Sequence, residues 1–230
     1  HRTDVAGIAA GSGALNSVYR GVAPKATLLN ARCMDSLGRG MTAGIIKAIE
    51  WSVNKGADVI NLSLGGAPAD PDDPLSEAVD NAARSGVVVA AAAGNSGPYY
   101  SSGETPAAAR LAISVGAYNS SNSIASFSSR GPTLDGRPYP DLLAPGVDVW
   151  STLASGSSIS DYASRLGISA GSYVPLDGTS ASTPFVSGAA ALLLSAAGLS
   201  QLNRSSLPLQ SRVEIPMAIR IALMNTAKSL

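Results

Sequence analysis

The sequence predicts an α/β fold, a doubly wound and mostly parallel sheet with helices on both faces. Short apolar, β-rich runs alternate with segments of helical period along most of the 230 residues, the order of a sheet built from crossover units. One helix, centred on Ala189-Ala-Ala-Leu-Leu-Leu194, is apolar all round and therefore belongs inside the protein. Hydrophobic residues make up 45% of the chain and charged residues only 14%. That composition supports one large core, and residues 1–230 read as one domain.

In chain order, Lys25 to Arg32 reads as a strand. Thr42 to Asn54 reads as an amphipathic helix with Ile45, Ile46, Ile49 and Val53 on one face, and Asp58 to Ser63 as the next strand. Pro74 to Ser85 is a helix closed by Gly86; Val87 to Ala92 and Leu111 to Ala117 are strands. Ser180 to Ala197 is the central helix and Pro216 to Ala227 a terminal one. No internal repeat is visible. Two loops interrupt the alternation. Ala67 to Asp73 carries Asp70, Asp72 and Asp73 and reads as an exposed Pro/Asp turn, although such carboxylates also suit calcium. Ser151 to Gly171 is Ser/Gly-rich and reads as a surface loop or a flap.

Sixteen basic and sixteen acidic residues give zero formal net charge. With no basic run longer than a dipeptide, there is no electrostatic footprint for nucleic acid or for an anionic membrane. The apolar helix is broken by Gly198 and is better read as buried than as a membrane span. A single cysteine, Cys33, excludes an internal disulfide framework and reads as packing at a strand end. A nucleotide-binding reading fails because no Gly-rich phosphate loop follows the first strand.

Three segments carry chemistry. Leu176-Asp-Gly-Thr-Ser-Ala-Ser-Thr-Pro-Phe-Val-Ser-Gly188 delivers Ser180 to a helix start, with Gly178 in the turn and Pro184 read into the first helical turn. Backbone N–H groups there are free beside the hydroxyl, at the positive end of the helix dipole. His1 is the only histidine in the chain and so the only imidazole base for a serine nucleophile. Asn95, in Gly-Asn-Ser-Gly at the end of a buried strand, is placed to donate to an oxyanion. Base, oxyanion donor and nucleophile occur in that order, with an ordinary Ser/Thr helix cap and an ordinary Gly-Asn turn as the competing explanations.

On these residues the chain resembles the subtilisin-like serine proteases, the subtilases. His1-Arg-Thr-Asp-Val-Ala-Gly7 is similar to their His motif except at Arg2 and Asp4, and Gly178 to Pro184 to their Ser motif with Ala181 and Ser182 substituted. Gly21 to Pro24, Val59 to Gly66, Ser126 to Pro132 and Asp141 to Gly146 resemble subtilase segments in the expected order. The resemblance implies an endopeptidase with Ser180 as nucleophile, His1 as base, and Asn95 with the Ser180 N–H as oxyanion hole. It further implies that Ser63, Leu64 and Gly65 pair with substrate backbone. Ala92, Ala93 and Gly94 would wall a roomy apolar pocket of broad specificity. It makes Ser151 to Gly171 an insertion, implies polypeptide substrates and a secreted enzyme, and requires no cofactor for the chemistry. The Asn16 to Arg20 region occupies the place of a family calcium site but matches it too poorly to supply ligands.

The family's triad also has an aspartate that precedes the histidine. The resemblance therefore implies that the first strands, with this carboxylate, lie before His1, and that these 230 residues alone hydrolyse peptides poorly. Asp4 sits at a different motif position and does not substitute for it. Arg2 and Asp4 motivate an alternative, a pseudoprotease that keeps the groove as a peptide-binding module.

Overall fold

The structure, a computed structural model, describes residues 1–168 and 171–228. It opens on helix α1 (Arg2–Ala10), followed by a 3-10 turn at Ser17–Tyr19, helix α2 (Thr42–Asn54) and strand β1 (Val59–Leu62). Strand β2 (Gly66–Pro68), helix α3 (Pro74–Arg84), strand β3 (Val88–Ala92), strand β4 (Glu104–Thr105) and strand β5 (Ile113–Tyr118) come next. Strands β6 (Leu142–Pro145) and β7 (Val149–Thr152), helix α4 (Ser158–Leu166), strand β8 (Tyr173–Leu176), helix α5 (Thr179–Ala196), a 3-10 turn at Arg204–Ser206 and helix α6 (Leu209–Thr226) complete it.

Four parallel strands form the central sheet in the order β1-β3-β5-β6. Because side chains alternate across a strand, β3 feeds two cores. Val89 and Ala91 face a cluster with Ile45 and Ile49 of α2 and Leu75, Val79 and Ala82 of α3. Val88 and Ala90 face the other layer, against Val186, Ala190 and Leu194 of α5 and Ile215 and Ile219 of α6. Helix α5 lies between that layer and a third cluster, where Ala181 meets Ile8 of α1 and Val149 of β7. Its C-terminal end emerges, leaving Leu192 49% exposed, so the apolar run is not wholly inside as expected. The doubly wound expectation therefore holds, with strands and helices at or near the expected bounds for α2, α3, α5, β1, β3 and β5.

Three expectations are corrected. Lys25 to Arg32 is not a strand: no ladder partner meets it among the described residues, and Leu28 and Leu29 are left 56% and 47% exposed. A strand exists through its pairing, and apolar content alone does not make one. The terminal helix starts at Leu209 and carries Pro216 in its interior, where burial of Ile215, Pro216 and Ile219 offsets the missing hydrogen bond. The 151–171 segment is no simple loop. It includes the end of β7 and all of α4, capped by Ser157 at one end and by left-handed Gly167 (φ +66°) at the other. Its residues 169 and 170 lie outside the described residues.

Helix α1 is held by hydroxyls of β7. Thr152 Oγ1 donates to the Thr3 carbonyl at 2.9 Å, and Ser151 Oγ to that of Asp4 at 2.6 Å. Gly7 makes this approach feasible, since a Cβ there would run into Thr152 Oγ1 and sit 2.5 Å from Ser151 Oγ. Gly7→Ala should therefore cost about 1–3 kcal/mol. Thermal melts check this, and shortening Ser151 and Thr152 to Ala in the same chain should recover part of the loss.

Candidate functional site

Strands β1 and β3 are neighbours in register, with Leu62 opposite Ala91, so both end on one rim of the sheet. Ser63 follows one strand and Gly94-Asn95 the other, and the start of α5 meets them there. Sites in open α/β sheets form at this edge.

The nucleophile candidate is held through its backbone. Pro184 is the sixth residue of α5, beyond the first turn, and its missing N–H is the one that would have bonded the Ser180 carbonyl. Ser63 supplies the replacement, with its Oγ donating to the Ser180 carbonyl at 2.8 Å. Behind Ser63 runs a chain of side chains. Asn61 Nδ2 donates to Ser63 Oγ at 2.9 Å, and Ser187 Oγ, two turns further along α5, donates to Asn61 Oδ1 at 2.8 Å. The Ser180 Oγ itself is partly exposed and makes a long 3.4 Å contact to the Ser63 carbonyl. Ser63 therefore positions Ser180 in addition to lying on the expected substrate edge.

Asn95 is oriented by Thr179, a buried residue that the sequence reading missed. The Thr179 N–H and Oγ1 donate to Asn95 Oδ1 at 2.9 and 3.1 Å, while Oγ1 accepts from the Gly94 N–H at 3.2 Å. Fixing the amide oxygen leaves Nδ2 as the free donor end. Asn95 Nδ2 and the Ser180 nitrogen border the same face of Gly178: a Cβ there would lie 3.6 Å from the first and 3.7 Å from the second. Gly178, at φ +140°, leaves that space empty. As the second residue of α5, Ser180 has an N–H without an intrahelical acceptor. A small anion placed there would meet two donors and the positive end of a helix. The signal for Thr179 was its place between the turn glycine and the serine.

His1 is the N-cap of α1, with its side chain 57% exposed. Among the described residues no hydrogen bond joins its imidazole to Ser180 or to a carboxylate. Helix α1 nevertheless packs along α5, with Ile8 and Ala181 in one cluster. Asp4, 1% exposed, has its Oδ2 2.9 Å from the main-chain nitrogen of His1, an ion pair rather than a hydrogen bond. The side chain of Arg2 lies outside what the structure describes.

Of the expected pocket residues, Ala92 and Ala93 are buried in the sheet, Leu64 is partly buried against the α2/α3 core and Gly65 is exposed. The Ala93 carbonyl is taken by the Glu104 N–H at 3.1 Å and by the Tyr139 hydroxyl at 2.6 Å. Burial pushes the Tyr139 phenol well above its ordinary pKa. The gap between Gly65 and Gly94 is not bounded by Ala and Gly alone, because the Glu104 carboxylate stands in it. The purely apolar pocket read from the sequence is corrected to that extent.

Calcium finds no ready cage at 70–73. Asp70 accepts from the Asp72 N–H, Asp73 caps α3 through the Leu75 N–H, and Asp72 pairs with Arg110 at 2.8 Å. The three carboxylates point to separate partners. Among the described residues no cluster of three or more His, Cys, Asp or Glu side chains could hold a metal, and no helix is long and apolar enough to cross a membrane.

The sequence profile of Peptidase S8, the subtilase family, matches residues 1–230. Serine protease AprX of Bacillus subtilis (strain 168) is 39% identical over 215 residues, covering 84% of this chain and 48% of the relative. Subtilisin E of the same organism is 45% identical over 202 residues, covering 85% of this chain and 45% of the relative. The chain thus spans about half the length of these curated relatives. The crystal structure of a cold-adapted subtilisin-like serine proteinase matches with a TM-score of 0.71 at 30% identity, over 98% of this chain and 67% of that one.

The Thr179 geometry can be tested directly. Thr179→Val keeps the shape but removes the hydroxyl, orphaning the Gly94 N–H and loosening Asn95, and should cost about 1–3 kcal/mol in urea unfolding. Thr179→Ser, which keeps the hydroxyl, should recover most of that loss.

Proposed function

Because the chain belongs to the subtilase family, we propose that it is a serine endopeptidase that cleaves polypeptides through an acyl-enzyme. The observation that carries the proposal is the fixed Asn95 amide, whose free donor end borders Gly178 together with the Ser180 nitrogen, beside a partly exposed hydroxyl. In the first half-reaction the Ser180 Oγ bonds to the scissile carbonyl carbon and its proton passes to the His1 imidazole. The carbonyl oxygen would take up negative charge between Asn95 Nδ2 and the Ser180 N–H, which would stabilise it as donors. Collapse breaks the C–N bond, and the imidazolium returns the proton to the leaving amine. Water then repeats the sequence on the ester, freeing Ser180.

These steps use a hydroxyl, an imidazole and amide donors and call for no cofactor. The His1 imidazole is exposed and makes no hydrogen bond to Ser180 among the described residues, and catalytic hydrogen bonds are often unformed without substrate. Substrate backbone would add along Ser63 to Gly65 as an extra strand. Secretion is proposed on family membership, as the setting for an enzyme acting on proteins.

A serine-directed phosphonylating reagent should add one phosphonyl group, located at Ser180 by peptide mass spectrometry and absent in Ser180→Ala. Undiminished labelling of that variant would move the nucleophile elsewhere. In any form of the protein that turns over peptide, Asn95→Ala should lower kcat about 100-fold or more with KM nearly unchanged, a magnitude carried over from the oxyanion donor of subtilisin. An effect on KM alone would make Asn95 a substrate contact.

A further inference from the structure

Gly65, just beyond β1, and Gly94, just beyond β3, face each other across a gap, and the side chain in that gap is Glu104, the first residue of β4. A Cβ on Gly65 would lie 2.8 Å from Glu104 Oε2, and one on Gly94 2.5 Å from Glu104 Cδ. Both walls are therefore glycine where the carboxylate needs room. Glu104 Oε1 accepts from the Asn95 N–H at 3.3 Å and from Ser96 Oγ at 2.8 Å. Its Oε2 accepts no hydrogen bond among the described residues, and the ion pairs formed there all use other carboxylates. Glu104 is thus a half-buried carboxylate with one oxygen occupied, one open and no cation beside it.

Its position relative to the chemistry gives the open oxygen a use. The residue after Gly94 is Asn95, so the carboxylate adjoins the oxyanion donors through the same backbone segment that it holds. A peptide with its scissile carbonyl between Asn95 Nδ2 and the Ser180 N–H, and its backbone along 63–65, projects the side chain of the residue before that bond into the gap between the two glycine walls. An apolar side chain there would bury the carboxylate without a partner, which is costly. A lysine or arginine would reach Oε2 with a charge-assisted hydrogen bond and complete it.

We propose that Glu104 makes this pocket select a basic residue, lysine or arginine, immediately before the cleaved bond; the proposal rests on the endopeptidase reading above. Glu104→Gln is the informative variant, because Gln keeps an oxygen for Asn95 and Ser96 and loses only the charge.

Two measurements separate the pocket from the catalysis. On a peptide series differing only at that position, Lys and Arg should exceed Leu and Phe in kcat/KM by about tenfold or more. Glu104→Gln should lower the basic substrates about 10- to 100-fold while leaving the apolar ones level or improved. Preference for Leu or Phe in the unaltered protein, or an equal fall on every substrate in Glu104→Gln, would overturn the proposal while leaving the endopeptidase intact. The second measurement needs no turnover: p-aminobenzamidine, a fluorescent aryl cation, should bind Ser180→Ala protein and lose about tenfold or more in affinity when Glu104→Gln is added. Loss of affinity in a chain that neither turns over peptide nor labels at Ser180 would keep the cation pocket and sink the catalytic reading. Equal binding with and without Glu104 would sink the pocket.

Discussion

The hydrogen bond from Ser63 Oγ to the Ser180 carbonyl is the joint on which the rim of this molecule depends. It exists because Pro184 cannot donate to that carbonyl, so the helix has an open acceptor in its first turn and a neighbouring strand end fills it. One proline thereby makes the nucleophile-bearing turn of α5 partly a property of the turn after β1. The same strand end is tied deeper into α5 through Asn61 and Ser187. Thr179 performs the equivalent service toward β3 by bonding Asn95 and the Gly94 N–H. Helix start and both strand ends are thus cross-linked by hydrogen bonds. This rigidity matters, since a site acts on a developing charge only if its donors are already in place.

Rigidity at the rim is inherited from the layers below. Strand β3 is buried along its whole length and sends alternate residues into two cores, so Asn95 follows the strand that both cores hold. Helix α5 is covered on the sheet side by β-strand residues and on the other by Ile8 and Val149. By contrast, α1 is a short helix of small residues. It is held by two hydroxyls from β7 and by packing of Ile8 against Ala181 of α5 and Val149 of β7. The base candidate thus stands at the exposed start of α1, where its imidazole makes no hydrogen bond to Ser180 or to a carboxylate among the described residues.

What the sequence disclosed divides along physical lines. The strands β1, β3 and β5 and helices α2, α3 and α5 were legible because their burial is written in local periodicity or in unbroken apolar runs. Ser180, His1 and Asn95 were legible as residue types at turns. Signals that depend on a partner were not legible. Lys25 to Arg32 has the composition of a strand but meets no ladder partner among the described residues. Pro184 and Pro216 read as helix-start markers, yet both are interior, and their cost is met by a distant hydroxyl in one case and by burial in the other. Ser157 and Gly167 looked like loop composition because caps and loops draw on the same residues. Thr179 and Glu104 gain meaning only from what they face, Asn95 for one and two glycines for the other.

The electrostatics of the rim follow from the same crowding. The start of α5 is the positive end of a helix, and any negative charge formed beside Ser180 is stabilised by it. A carboxylate close by would oppose that effect in proportion to its unscreened charge. Glu104 is close in sequence to neither, yet it reaches the Asn95 backbone, so its charge would work against an oxyanion unless partly neutralised. The Asn95 N–H and the Ser96 hydroxyl do this for Oε1 but not for Oε2. The arrangement is balanced only when a cation sits on the second oxygen. In that state the opposing charge of Glu104 would be reduced, so occupancy of the proposed pocket and stabilisation of the transition state would reinforce each other. Binding a basic side chain would therefore act on the reaction barrier as well as on affinity, which is how remote contacts contribute to the rate of a bond-breaking step.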